Sequence, residues 1–198
     1  MPDERIDVPL KHAYRLMNHG PTVIVSAAHG GQRNLMAAAW AMPLDFEPPK
    51  VAVVIDKSTF TRGLVEASGR FALNLPCAAL ADLTVTVGGT HGGPAGVGDK
   101  FAQFGIEAFE GRTPGLPLVA GCVGWLECRL LPEPHVQQAY DLFLGEVVAA
   151  QADPRVFSQG RWHFDDHPAL RTLHHVAGGH FLLPQGAVQG HTLAAAQP

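Results

Sequence analysis

The sequence is short of charge. Only 16% of its 198 residues are Asp, Glu, Lys or Arg, against 46% apolar, and the net charge is −4. No run of Lys or Arg is longer than two, so the electrostatic footprint of a nucleic-acid binder, or of a protein drawn to an anionic membrane, is missing. No apolar stretch is long enough for a transmembrane helix. Met1–Asp7 carries Asp3, Glu4 and Asp7 and lacks the apolar segment of a secretory leader. Cysteine is scarce as well. Cys77, Cys122 and Cys128 are odd in number and without metal-ligand spacing, which points to a cytoplasmic chain with reduced thiols. What remains is one globular domain over residues 1–198, with a core over about residues 10–185 and a loose tail over 186–198. So little charge on a chain of this size points to a sizeable protein–protein interface.

Punctuation and periodicity give the elements. Residues 10–17 read as a short helix. Thr22–Ala28 is a β-branched run ended by His29-Gly30-Gly31-Gln32, a hairpin turn. Asn34–Met42 follows as a strand, because the turn precedes it and Pro43 follows. Pro48-Pro49 breaks the chain before Val51–Ile55, a short continuous apolar strand. Phe60–Ser68 reads as a helix with Phe60, Leu64 and Ala67 on one face and Gly69 at its end. Phe71–Leu75 is a strand and Ala78–Val87 a second helix. Residues 88–98 hold six glycines and form a loop long enough to suspect function. Asp99-Lys100-Phe101 opens a helical turn. Leu118–Leu131 alternates apolar even positions with Glu127 and Arg129 and reads as one long strand. On that reading Cys122 and Cys128 lie on one face, too far apart to pair. Leu142–Ala150 and a weaker Val156–Phe164 complete six or seven strands. Strands and helices do not alternate strictly, and no Gly-x-Gly-x-x-Gly follows a strand in the right context, which argues against a Rossmann sheet. The fold class is mainly β with flanking helices, an antiparallel barrel.

The sharpest chemical signal is Asp56-Lys57-Ser58-Thr59-Phe60-Thr61. A buried strand delivers an ammonium and several hydroxyls to the start of a helix, where free N–H groups and the helix dipole favour an anion such as a phosphate monoester. The plain alternative is that Ser58 or Thr59 only caps the helix. Asn34 precedes Ala37, Ala38, Ala39 and Trp40, small residues that let a flat ligand approach the backbone or a neighbouring strand pack tightly. Asn74 sits in an apolar strand and must find partners, in a ligand or in the backbone. His91, alone in the glycine loop, is a candidate to close over a ligand or a solvated loop residue. Cys77 stands at a helix start, where a thiolate is favoured, or is simply a small residue there. The histidines at 163, 167, 174, 175 and 180 raise a metal-binding alternative, although Pro168 prevents one helix from presenting His163 and His167 together.

In order, TVIVSAA, NLMAAAWAM, PPKVAVVIDKSTFT, GRFALNLP, GDKF, PLVAGCVGWLECRLL and DLFLGEVVAA make the chain resemble the flavin reductase-like FMN-binding family, in particular its flavoredoxin-type branch, over about residues 12–165. The resemblance implies a split β-barrel and a homodimer with FMN near the interface. It implies that Asn34 and Ala38, Ala39 and Trp40 lie along the flavin ring and ribityl chain. Asp56, Lys57, Ser58, Thr59 and Thr61 would surround the ribityl phosphate. Asn74 and Leu75 would bond the ring edge or ribityl, and Lys100 would complete the anion site or salt-bridge the loop. In such a protein the flavin carries the chemistry, so no catalytic side chain is assigned beyond the candidate His91. The implied activity is an FMN-dependent oxidoreductase using NADH or NADPH, with an electron carrier lacking its own nicotinamide site as the alternative. One departure bears on this choice. Reductases of the family that use NADH freely often carry a His, in a Gly-Asp-His segment, five residues before the glycine of the last long strand, and here Tyr140 stands five before Gly145.

Overall fold

The computed structural model describes residues 5–16 and 20–192. Asp3, Glu4, Met17 and residues 193–198 of the expected tail lie outside the described residues. Strand β1 (Ile6–Asp7) and a 3-10 helix over Leu10–Leu16 come first. The hairpin of β2 (Val23–His29) and β3 (Gln32–Ala38) turns at Gly30 and Gly31, with φ of 57° and 78°. Both central residues of such a two-residue turn need positive φ, which glycine adopts without strain. Next come β4 (Ala41–Phe46), β5 (Pro49–Val54), α1 (Phe60–Ser68), β6 (Arg70–Leu75), α2 (Ala81–Gly89) and α3 (Lys100–Gln103). The second half holds β7 (Ala108–Glu110), β8 (Pro117–Val119), β9 (Gly124–Leu131), α4 (Pro134–Tyr140) and β10 (Leu142–Ala152). Two small hairpins follow, β11–β12 (Phe157–Ser158, Arg161–Trp162) and β13–β14 (His174–Ala177, His180–Leu182).

The main antiparallel sheet has the order β3-β2-β6-β9-β10-β5-β4, with β1 on β10. The two edges of this path, β3 and β4, are consecutive in sequence and joined by Ala39 and Trp40 alone. Three Cα steps reach at most roughly 11 Å. The sheet must therefore curl until its edges nearly meet, which gives the expected barrel, split along the β3–β4 seam. Helix α1 packs on β2 and β3. Val23, Val25, Phe71, Leu73, Leu126, Cys128, Val53 and Phe143 fill the barrel. The opposite face of β2, β6 and β9 carries a second core of Ile24, Ala72, Trp125, Leu35, Val87, Phe101 and Leu118. Two cores explain why these strands are buried on both faces rather than alternating with polar residues.

Several expectations are corrected. The strand expected over Asn34–Met42 divides at Ala39-Trp40, and its second part runs on to Phe46. Pro43 is tolerated because β4 is an edge strand with an irregular register at Pro43/Asp45. The strand expected over Leu118–Leu131 is broken at Gly121, whose φ is 80°; β8 pairs with β7, and β9 begins at Gly124. Cys122 and Cys128 therefore sit in different cores, not on one strand face. Glu127, expected to face water, is buried, and its carboxylate accepts the backbone N–H groups of Arg112 (2.9 Å) and Thr113 (2.5 Å). On α1 the buried residues are Thr61, Arg62, Leu64 and Val65, while Ala67 is exposed. The second helix opens as a 3-10 turn at Ala78–Leu80 and extends to Gly89. Val156–Phe164 is a tiny hairpin, and α4 and the β13–β14 hairpin went unexpected.

Asn74 braces the layers. Its amide nitrogen donates to the Ile24 carbonyl (2.8 Å) and Ser26 Oγ (3.0 Å), and its oxygen accepts the Val119 N–H (2.8 Å). Asn74→Ala strands these buried partners and is expected to cost about 2–4 kcal/mol. Urea denaturation should show this as a lower midpoint at unchanged slope.

Candidate functional site

Strand β5 ends at the seam and hands the chain to a tight turn. The Asp56 carboxylate accepts both the Ser58 N–H (2.7 Å) and the Ser58 hydroxyl (2.6 Å), and these bonds hold its pKa below the ordinary value. The Thr59 hydroxyl donates back to the Asp56 carbonyl (2.7 Å). Thr59 occupies the N-cap position of α1 yet makes no side-chain cap bond. The hydroxyls thus shape the turn and leave the first N–H groups of α1 uncapped, available to an anion.

Arg62, one turn into α1, fixes this corner. It donates to Glu66 (2.9 Å), to the Gln137 carbonyl in the middle of α4 (2.9 Å) and to Asp141 just after that helix. Lys57 stands exposed, 3.9 Å from the same Asp141 carboxylate.

Beside the start of α1 lies a cleft of about 60 Å³, lined by Asn34, Met36 and Ala37 from β3, Thr59–Thr61, and Val87–Gly88, Thr90–Gly92 and Lys100. One water needs about 10–15 Å³ on this measure, so there is room for a few waters or a tetrahedral anion but not for a ring system. Asn34 is buried, and its amide nitrogen donates to Thr61 Oγ1 (3.0 Å) while its oxygen finds no partner. Flipping the amide exchanges which atom is left over without satisfying both. A buried acceptor without a donor asks for one from a ligand or an ordered water. Lys100 forms the back of the cleft, donating to the carbonyls of Leu35 (2.9 Å) and Val87 (2.8 Å).

The glycine loop covers the cleft. It is closed on itself by reciprocal bonds between Gly93 and Gly98 and by the Val97 N–H on the His91 carbonyl (3.0 Å). A Cβ at Gly92 would overlap the Asn34 amide, and one at Gly93 would come within 2.5 Å of the Phe60 ring. Only glycine lets the backbone lie this close.

The structure thus gathers Asn34, Thr59, Thr61, His91 and Lys100 around one cleft; Asp56, Lys57 and Ser58, in the turn before α1, are not among its lining, and Lys57 lies toward Asp141. Ala39 and Trp40 open instead onto a neighbouring groove of about 560 Å³, shared with Met42, Leu44, Val54 and Leu144; Ala38 is buried behind them. Lys100 makes no ion pair with the loop; its partners are carbonyls. Asn74 and Leu75 stand apart from the cleft, Asn74 with its amide engaged inside the fold and Leu75 in the barrel core. Phe60, Thr90 and Gly92 were not anticipated as lining, although the glycine density of residues 88–98 pointed to the loop. Cys77 is buried, its thiol donates to the Gly121 carbonyl (3.5 Å), and burial pushes its pKa up, so a helix-start thiolate is not what forms. His163 contacts Ser158 Oγ (2.9 Å), and among the described residues no three His, Cys, Asp or Glu side chains gather as metal ligands. No helix among them is long and apolar enough to cross a membrane.

Comparison with known proteins bears on this arrangement. The family model for the flavin reductase like domain matches residues 14–170. The chain is 49% identical to YddH of Escherichia coli (strain K12) over 180 residues, 89% of this chain and 93% of that protein. It is similar to the crystal structure of an FMN-binding domain of a flavin reductases-like enzyme from Shewanella baltica OS155, with 46% identity and a TM-score of 0.92, covering 96% of this chain and 100% of that one. An FMN-binding protein from Thermus thermophilus, solved with p-hydroxybenzaldehyde, is 26% identical with a TM-score of 0.70, covering 96% and 99%.

Gly92→Ala should lift the loop from Asn34. Hydrogen exchange at residues 91–98 is expected to speed up at least about tenfold while the sheet stays protected.

Proposed function

The chain belongs to the flavin reductase-like family, and from that premise we propose that it is an FMN-binding flavoprotein of the oxidoreductase type, working as a homodimer. The observation that carries this reading is the cleft itself. An uncapped helix start, a buried acceptor without a donor and a buried ammonium meet in a space sized for a phosphate group and its adjoining hydroxyls. The residues present fit the group. The first amides of α1 receive the phosphate, joined by the Thr59 hydroxyl once it turns from the Asp56 carbonyl and by the exposed head of Lys57 once it leaves Asp141, and Asn34 accepts from a ribityl hydroxyl. The groove beside Ala39 and Trp40 takes the apolar ring. When bound, FMN supplies the hydride and electron chemistry; the chain binds, orients and shields it. The family likeness of the Shewanella and Thermus proteins, both FMN-binding, supports the same cofactor.

FMN should bind roughly a hundredfold more tightly than riboflavin, the worth of two charge-assisted hydrogen bonds. Lys57→Ala combined with Thr59→Ala should erase most of that preference and leave riboflavin affinity nearly unchanged. Flavin-fluorescence titrations of both proteins check this, and a double variant that keeps the full preference would move the anion site elsewhere.

The homodimer rests on β4. Its outward side chains Met42, Leu44 and Phe46 are apolar and exposed, next to Trp40 at 75% exposure. An edge strand with an apolar outer face seeks a partner, and a second copy is the occupant proposed. Sedimentation should give a dimer at micromolar concentration. Leu44→Glu with Phe46→Glu should give a monomer, since buried interface anchors are each worth about 2 kcal/mol or more.

A second reading, an electron carrier without efficient nicotinamide use, is favoured by Tyr140. It ends α4 with 67% exposure, its ring edge-on to His135 at 6.3 Å, where the resembled NADH-using reductases carry a His.

A further inference from the structure

We propose that the cavity beneath the C-terminal segment is a second ligand site, built for a small aryl carboxylate and independent of the flavin reading. It shares no lining residue with the cleft or the groove described above.

The cavity measures about 280 Å³ and lies between the end of the β11–β12 hairpin and residues 184–187. One wall is aromatic. The Phe157 and Trp162 rings meet edge-on at 4.9 Å, and Trp162 stacks on Phe164 at 5.3 Å with 15° between the planes. The polar end is Arg171. The chain there is pinned to the barrel: the Arg171 carbonyl accepts the Ala78 N–H (2.8 Å), Thr172 bridges to Cys77, and the Leu173 carbonyl accepts the Thr22 N–H (2.7 Å). These bonds fix where the guanidinium emerges. Its Nε is buried without a partner, and among the described residues no carboxylate pairs with it. Asp165 lines the same cavity from the exposed side without forming an ion pair with Arg171. His163, also in the lining, is engaged with Ser158 Oγ (2.9 Å).

A buried donor on a permanently charged group is costly when it is left unmet. A carboxylate meets it well, because Nε–H and a neighbouring Nη–H form a planar fork that matches two carboxylate oxygens. The aromatic wall asks for a flat apolar body behind the acid. The space is that of roughly nine waters at about 30 Å³ each, which suits one ring with its carboxyl group and is too small for a flavin. Residues 184–187 make no backbone hydrogen bond among the described residues and belong to no strand or helix. Packing alone holds them over the cavity, so a ligand enters without breaking secondary structure.

The test titrates benzoate and its neutral analogue benzamide into the full chain at pH 7, calorimetrically, with and without saturating FMN, and maps each ligand by hydrogen exchange. Benzoate is expected to bind with Kd of about 1 mM or tighter, and at least about tenfold more tightly than benzamide, the worth of a charge-assisted fork. Exchange should slow over residues 171–173 and 183–188 and stay unchanged over residues 39–44 of the apolar groove. Arg171→Gln should bring benzoate down to the affinity of benzamide and leave FMN binding as in wild type. Should Arg171→Gln not fold, the acid-to-amide ratio and the exchange map of wild type decide. Equal affinity for acid and amide would overturn the assignment, as would protection confined to residues 39–44. Absence of both heat and protection at about 10 mM benzoate would also overturn it, leaving Arg171 Nε to water. A chain that binds no FMN would overturn the cofactor reading alone, since the flavin-free titration still decides this one.

Discussion

Ala39 and Trp40 join the two outer strands of a seven-strand path, and the short reach of that link governs much of the structure. A flat or open sheet would place β3 and β4 several strand widths apart, each about 4.8 Å. The chain can satisfy the sheet order only by curling, and the curl leaves a seam where β3 and β4 face each other without pairing. Unpaired edges need covering. Helix α1 and the glycine loop cover the β3 side, and the outer face of β4 carries the exposed apolar side chains Met42, Leu44 and Phe46. The polar cleft is walled by Asn34, Met36 and Ala37 of β3, and the apolar groove takes up at Ala39 and Trp40, the link that leads on to β4.

Around the seam, buried polar groups are placed with differing completeness. Asn74 uses both ends of its amide, Ser26 donates to the Pro117 carbonyl (2.6 Å), and Glu127 receives two backbone N–H groups. These are braces between the barrel and its outer layer, and their bonding is internal. Asn34 and Lys100 differ: among the described residues one keeps an acceptor without a donor, the other a charge without a counter-ion. Buried groups of this kind are costly in a finished interior. Their place on one cleft, beside a helix start whose own cap residue bonds elsewhere, is the physical basis for treating that cleft as a ligand site.

Helix α1 serves the barrel and the site together. Leu64 and Val65 plug the core, while Arg62 ties the end of β5 and the end of α4 to the turn at Asp56–Thr59. The left-handed Asp141 (φ 54°) brings its carboxylate between Arg62 and Lys57. The exposed lysine is thereby held near the helix start by a contact loose enough to give up.

By itself the sequence determined the local elements with strong punctuation: the Gly30-Gly31 hairpin, helix Phe60–Ser68 with Gly69 at its end, the glycine loop, and the turn chemistry of Asp56–Thr59. It also singled out Asn34, beside a run of small residues, and Thr59 and Thr61, in a hydroxyl-rich turn at a helix start, while Lys100 entered only through the family resemblance. Tertiary structure decided the rest. The strands split at Ala39-Trp40 and at Gly121 because closing a barrel and covering it with a second layer impose breaks that no local pattern carries. The same two-layer packing buried Glu127 and parted Cys122 from Cys128. It also occupied Asn74 within the fold while leaving Asn34 open. These two asparagines look alike in sequence; only the strand pairing and the covering loop settle which amide is satisfied, since hydrogen-bond partners 45 or more residues away are a property of the fold and not of the neighbouring residues.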